Sequence, residues 1–407
     1  MQPGRLSASP RLTVIFILLA LIGAAAFISG ILGSDPLRAW QAYLVNFLFW
    51  TGLSSGAVLF AAVLNLTDAR WGRPLKRVAE AFGAYLPVGF LLFWVLYFGR
   101  VEILPWIREP VPGKEIWLNV PSLFARNGVG LLVLSILSLA MIYYSVKSDR
   151  EWIAGRERGL ADEGAENVSC KLCWKRQRTL SPILVIVYSL VLTLLGFDFV
   201  MSLDRNWYST LLGGYFFVGS FYIGVAALYL LALLLGGRSE LKNHLTPRHF
   251  HDLGKLVLAF CLFTGYLFYA QFLTIWYGNL PAETRYVILR VKLTPWEPLA
   301  WVVLFMIFLL PFFILLSRRV KLKKPGMILL SLMIITGMWL ERFILVAPSL
   351  WKRGNVSLGV LEVLVTAGYL GIVGLCVAAF LKRVPLLPVS DPLFRKSIEM
   401  KEERLRP

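Results

Sequence analysis

Histidine is scarce in this chain: His244, His249 and His251 are its three, within eight positions of one another. A haem held by two histidines inside a membrane needs them on facing helices at matching depth, and so narrow a cluster excludes it. Cysteine is scarce too. Cys170 and Cys173 form a Cys-x-x-Cys pair, but Trp174 stands where c-type haem attachment needs histidine. A zinc ion would need two further ligands nearby, and Cys261 and Cys376 lie far away in apolar runs, where they read as small packing residues. No metal site and no redox centre is therefore expected in this chain. Charge is the third shortage. Only 16% of residues are charged against 57% hydrophobic, too little charge to cover a soluble domain of 407 residues.

Apolar runs of about 20 residues, the length that crosses a bilayer as a helix, are abundant. Ten occur: Leu12–Leu32, Arg38–Asn65, Val78–Phe98, Pro121–Val146, Leu180–Leu203, Ser209–Leu235, His249–Asn279, Pro295–Leu316, Pro325–Ala347 and Leu358–Leu381. The fold class is an all-α membrane protein, one integral domain over residues 1–407 with a tail from 382 to 407. The longest connection, Lys147–Thr179, is too short to bury a core, so no soluble domain is expected. The first run is too long for the apolar core of a secretory signal and reads as a retained helix.

Basic residues set the expected orientation. The amino terminus, the even loops and the tail hold 29 of the 42, and the odd loops hold 10. The positive-inside rule places both termini in the cytoplasm. The net charge of +18 then follows from topology and anionic lipid headgroups. No basic patch with stacking aromatics lies outside the spans, so nucleic acid is not an expected partner.

Ionisable residues inside spans usually line a protein interior or an ion path, because hydrocarbon penalises unpaired charge. The stretch His249–Arg290 displays this best, reading as one long helix with His251, Asp252 and Lys255 in its first turn. At 1.5 Å per residue, the charges fall into two layers. Glu80, His251, Asp252 and Lys255 lie toward the cytoplasm. Arg126, Asp198, Glu341, Arg342 and Glu362 lie in the outer third. Between the layers only Ser189, Thr193, Tyr266 and Tyr269 offer a relay. The polar residues of helix 2 (Asn46, Thr51, Ser54, Ser55) read as close-packing positions. Two readings of the layers stand: ion-pair clusters that lock helices together, or two proton half-channels.

Asp198 and Glu341 each lie sixteen residues beyond a proline, Pro182 and Pro325, and Glu80 and Asp252 each open a helix on one side. The correspondence suggests a repeated four-helix unit, residues 38–203 and 209–347, flanked by helix 1 (12–32) and helix 10 (358–381), with the repeat axis along the membrane normal.

The segments WQAYLVNFLFWTGLSSGAVLFAAVLNLTDARWGRPL, FDFVMSLDRNWYSTLLGGYFFVGSF, HDLGKLVLAFCLFTGYLFYAQFLTIWYGNLPAET and WLERFILVAPSL resemble the NrfD-like, polysulfide-reductase-type membrane subunits. More narrowly, they are similar to the second, shorter such subunit of bacterial alternative complex III, a quinol:electron-acceptor oxidoreductase. The resemblance implies two four-helix bundles in a bacterial cytoplasmic (inner) membrane. It also implies a second NrfD-like subunit, an iron–sulfur subunit and c-type haem subunits as partners, and quinol oxidation near the outer face, the depth of Asp198, Arg126, Glu341 and Arg342. The expected role is a cofactor-free scaffold with a proton path. A secondary transporter using the same intramembrane charges is the alternative.

Overall fold

The structure is a computed structural model that describes residues 10–159, 168–237, 239–351 and 358–403. Arg5, Arg238, Lys352, Arg353, Arg404 and Arg406, which entered the topology count, lie outside the described residues. Ten helices are long and apolar enough to cross a membrane: α1 Pro10–Leu32, α2 Pro36–Leu66, α3 Arg73–Val95, α4 Val120–Glu157, α5 Val168–Leu203, α6 Leu211–Leu235, α7 Pro247–Gly278, α8 Trp296–Leu316, α9 Lys324–Leu350 and α10 Val360–Arg383. Among the described residues there is no strand.

Local chemistry sets the ends. The Asp35 side chain accepts from the Arg38 amide to start α2, and Asn119 does the same for Ser122 at α4, each satisfying an amide that the helix itself leaves free. Thr246 and His249 form a reciprocal cap on α7 with Pro247 in its first turn.

Three expectations need correction. The stretch to Arg290 is not one helix: Asn279 adopts the left-handed conformation, φ 44°, which closes α7, and a separate helix follows over Pro281–Val291. Lys147–Thr179 is not a loop either. α4 runs on to Glu157 and α5 is already helical at Val168, so Cys170 and Cys173 are buried helix positions, and the Cys170 thiol faces the Ser148 carbonyl at 3.6 Å. Pro182 consequently sits inside α5 rather than at its start. In all three cases polar residues continue or interrupt a helix beyond the limits that hydropathy marks.

Helices α2 to α5 each pack on the next and α5 returns to α2; α6 to α9 close in the same way. The two rings meet where α2 crosses α6, and there the backbones nearly touch. A Cβ added to Gly56 would lie 2.3 Å from the Ser220 carbonyl oxygen. Lipid supplies no hydrophobic drive between helices, so this closeness of approach is what stabilises the crossing. α2 is consequently the central element, buried over almost its whole length. α1 and α10 form an outlying pair on α2, joined at Gly23 and Gly368, where an added Cβ would meet backbone at 2.3 Å.

Candidate functional site

On the face where α1 begins and α10 ends, six charges are folded into the end of the first ring. Arg77 bridges Glu80 and Asp149. Arg73 and Lys76 both reach the Asp391 carboxylate at 3.0 Å. Three cations face three anions, all buried, so the cluster is neutral as a unit. Neutral groups complete it: Arg73 donates to Asn65 at 2.7 Å, Lys76 to Gln177 at 2.9 Å, and Ser390 to Asp149 at 2.6 Å through its hydroxyl. Lys76 and Arg73 also lie over the Trp174 ring. Outside the spans, burial alone would push the Asp391 carboxyl up, but Lys76 and Arg73 outweigh it and hold the group below its ordinary value.

Of this cluster, sequence reasoning singled out Glu80 alone. Asp149 and Asp391 read as loop and tail residues, and only the tertiary fold brings Asp391 to Arg73. His251, Asp252 and Lys255 do not join them. They sit on α7 in the second ring, with Lys255 and Asp252 paired at 3.0 Å in a partly exposed position.

Toward the opposite face the outer-layer residues separate into three pairs. The Arg126 guanidinium grips Asp198 at 2.6 and 2.5 Å; Asn127 and Trp117 also donate to that carboxylate, at 2.5 and 3.0 Å. Asp198 is fully buried and spends both oxygens on these donors. Arg342 pairs with its neighbour Glu341 at 2.9 Å and turns its other nitrogen to the Phe216 carbonyl and Ser220 hydroxyl, both at 3.2 Å. Glu362 is held by Arg38 at 2.7 and 2.8 Å, a partner that hydropathy hid at the start of α2. Among the described residues no ion pair joins one of these three to another.

The expected midplane relay is corrected by exposure. Tyr266 and Tyr269 are 64% and 59% exposed on the outer side of α7, because they share the face of that helix that no neighbour covers. Ser189 is half-buried and donates to its own helix at Val185, and Thr193 packs on Gly213. Tyr266 and Tyr269 thus face away from the interior of this chain, while Ser189 and Thr193 are half-buried.

Enclosed polar groups between the layers include a series on α2. Asn46, Thr51, Ser54, Ser55 and Asn65 are all buried, and the nineteen steps from Asn46 to Asn65 rise about 28 Å along a helix. Asn65 touches the charged cluster through Arg73. Asn46 accepts from Trp339 of α9 at 3.1 Å, two residues before Glu341. Midway, the Thr51, Ser54 and Tyr85 hydroxyls are buried, Thr51 facing Tyr85 and Ser54 without a hydrogen-bond partner from the protein. Beside them α3 narrows to a 3-10 turn over Phe82–Tyr85. The spacing of these residues signalled close packing, and the unspent Ser54 hydroxyl was not visible without the fold.

Comparison with curated proteins finds no match. Comparison with protein families finds one: the model described as polysulphide reductase, NrfD, matches residues 30–352, which takes in α2 to α9 entire. Ten apolar helices make the chain a multi-pass integral membrane protein, and on the length of that match it belongs to the NrfD polysulphide reductase family of membrane subunits.

Proposed function

We propose that this chain is the cofactor-free membrane subunit of a quinol:electron-acceptor oxidoreductase of the alternative complex III type. In that role it is a scaffold and a proton path. Its partners are a second NrfD-like subunit, an iron–sulfur subunit and c-type haem subunits, in a bacterial cytoplasmic membrane with both termini inside. The observation that carries the proton path is the α2 seam. It runs from a buried, charge-balanced cluster at one face to Asn46, which accepts from Trp339, two residues before Glu341. Glu80 serves as the entry carboxyl, the Thr51, Ser54 and Tyr85 hydroxyls as the interior, and Glu341 as the exit; Asp198 and Arg126 hold the outer end of the first ring. Buried hydroxyls suit chains of hydrogen bonds that carry protons across apolar protein.

Affinity purification of the tagged chain from its native membrane tests the assembly. Recovery of haem-bearing and iron–sulfur subunits in fixed proportion is the expected result. A stable, colourless, solitary chain would remove the proposal.

One feature favours a transporter as second reading. α3 is interrupted at Phe82–Tyr85, and α8 carries a π-turn over Phe305–Leu309; interrupted helices are the usual place for a transported substrate. Substrate-dependent uptake into vesicles holding this chain alone would decide for it.

A further inference from the structure

On the face that holds the charged cluster, α6, α7 and α9 leave a cavity of about 180 Å³ at the end of the second ring. That exceeds the roughly 150 Å³ that takes in a benzene ring, and gives room for a phosphate and the first carbons of its ester. The lining divides in two. Lys242, Lys321 and Lys324 supply three cations, and Leu245, Phe250 and Met327 supply an apolar wall.

Lys242 and Lys324 are exposed at the mouth, whereas Lys321 is 6% exposed. The Lys321 stem runs against Gly254 of α7, where an added Cβ would lie 3.0 Å from its Cδ. Its carbonyl accepts from the Tyr229 hydroxyl of α6 at 3.2 Å, so the lysine is fixed in the ring. Among the described residues no ion pair reaches Lys242, Lys321 or Lys324, and Asp252 of α7 is taken by Lys255 at 3.0 Å. Lys321 lies outside the spans, and burial together with Lys255 holds its ammonium below the ordinary value.

An enclosed ammonium with no counter-charge is costly. The first ring meets the same cost from within, because Asp391 neutralises Arg73 and Lys76. No described residue does this for Lys321, which favours an anion from outside the chain. α9 also begins at the cavity, at Lys324, with no capping side chain, so the positive end of its dipole adds to the three ammonium groups. The cavity stands at the ends of three spans, the depth of lipid headgroups, and its apolar wall suits glycerol and acyl carbons better than a hydrated free ion. Basic pockets between transmembrane helices are a usual seat of anionic headgroups.

We propose that this cavity binds the phosphate of an anionic glycerophospholipid, with Lys321 as its enclosed partner, Lys242 and Lys324 at the mouth, and the acyl chains passing into the hydrocarbon. The site requires a membrane and not the electron-transfer role, so it stands or falls apart from the proposed function.

The test is thermal unfolding of the detergent-purified protein, with any partner subunits retained, after lipid has been stripped away. It is titrated with short-chain phosphatidylglycerol, phosphatidylcholine or inorganic phosphate. Phosphatidylglycerol should raise the unfolding temperature to a saturating value, and the other two should leave it unchanged. Lys321→Met, which keeps the stem and removes the charge, should weaken the apparent affinity for phosphatidylglycerol about ten-fold or more, the worth of a charge-assisted hydrogen bond. Lys323→Met, at an exposed position outside the cavity, should leave it unchanged. The double variant Lys242→Met, Lys324→Met changes two exposed positions and should also weaken it, which decides the matter if Lys321→Met does not fold. Affinity unchanged by the cavity substitutions, or equal for the two lipids, would overturn the proposal. Saturation by inorganic phosphate with no response to phosphatidylglycerol would overturn it too, as a site for soluble phosphate.

Discussion

The Asp391 carboxylate receives Arg73 and Lys76 at the same distance, 3.0 Å, across more than three hundred residues of chain. With it, residues 384–391 of the tail are buried over the end of the first ring, closing the charged cluster from outside. Removing one member of a buried ion group leaves its partners uncompensated, which costs on the order of 3–5 kcal/mol. Asp391→Ala should therefore lower the unfolding temperature in detergent markedly, while Lys396→Ala, at an exposed position of the following helix, should do so much less. The pH dependence follows from the direction of the shift. A carboxyl held below its ordinary value of 3.8 contributes its stability above that value and loses it as pH falls through the lower, folded value. The strap should loosen only in acid below about pH 4, and Asp391→Asn should erase that limb.

Asp198 and Arg126 are an unequal pair. Asp198 is wholly enclosed, whereas Arg126 keeps an exposed edge and lies over the Trp117 ring at 4.1 Å. Arg126→Ala strands a buried carboxylate and should cost about 3 kcal/mol or more. Asp198→Asn retains neutral acceptors and donors and should cost about 2 kcal/mol. Chemical denaturation of the two variants checks the order. Glu341→Gln should impair proton translocation while the complex still assembles; failure of assembly would mark its pair with Arg342 as an ion lock only.

The α1–α10 crossing depends on Gly23 and Gly368 having no side chain. Gly23→Val puts carbon into backbone at 2.3 Å, so α1 should detach. Cysteines introduced across the crossing should cross-link in the parent and not in this variant, while α2 to α9 keep their fold.

Tyr266→Phe and Tyr269→Phe should leave proton translocation unchanged, because both hydroxyl-bearing rings lie on the outer side of α7. A loss in either variant, measured by pH-sensitive dye in proteoliposomes, would return the relay to α7.

How far the sequence reveals this protein depends on the range of the interaction involved. Span number and class were legible because a bilayer demands a fixed apolar length, and all ten runs recur as helices. Glu80, Asp198 and Glu341 were legible because a carboxylate inside such a run is conspicuous. Asp149, Asp391 and Arg38 were not, since each lies in a polar setting and gains meaning only through a partner distant in sequence. Tyr266 and Tyr269 misled for a related reason: hydropathy reports the composition of a helix and not which of its sides is covered. The α2 hydroxyls fit close packing and a conducting seam alike, since spacing in the sequence does not tell which of them have partners.

The most direct measurement is the number of protons moved per electron by the reconstituted complex when the seam is made apolar with Thr51→Val and Ser54→Ala. Quinol oxidation should persist and the ratio should fall toward the value set by chemistry at the membrane surface alone. An unchanged ratio at normal turnover would contradict proton conduction through α2 and leave this chain as a scaffold.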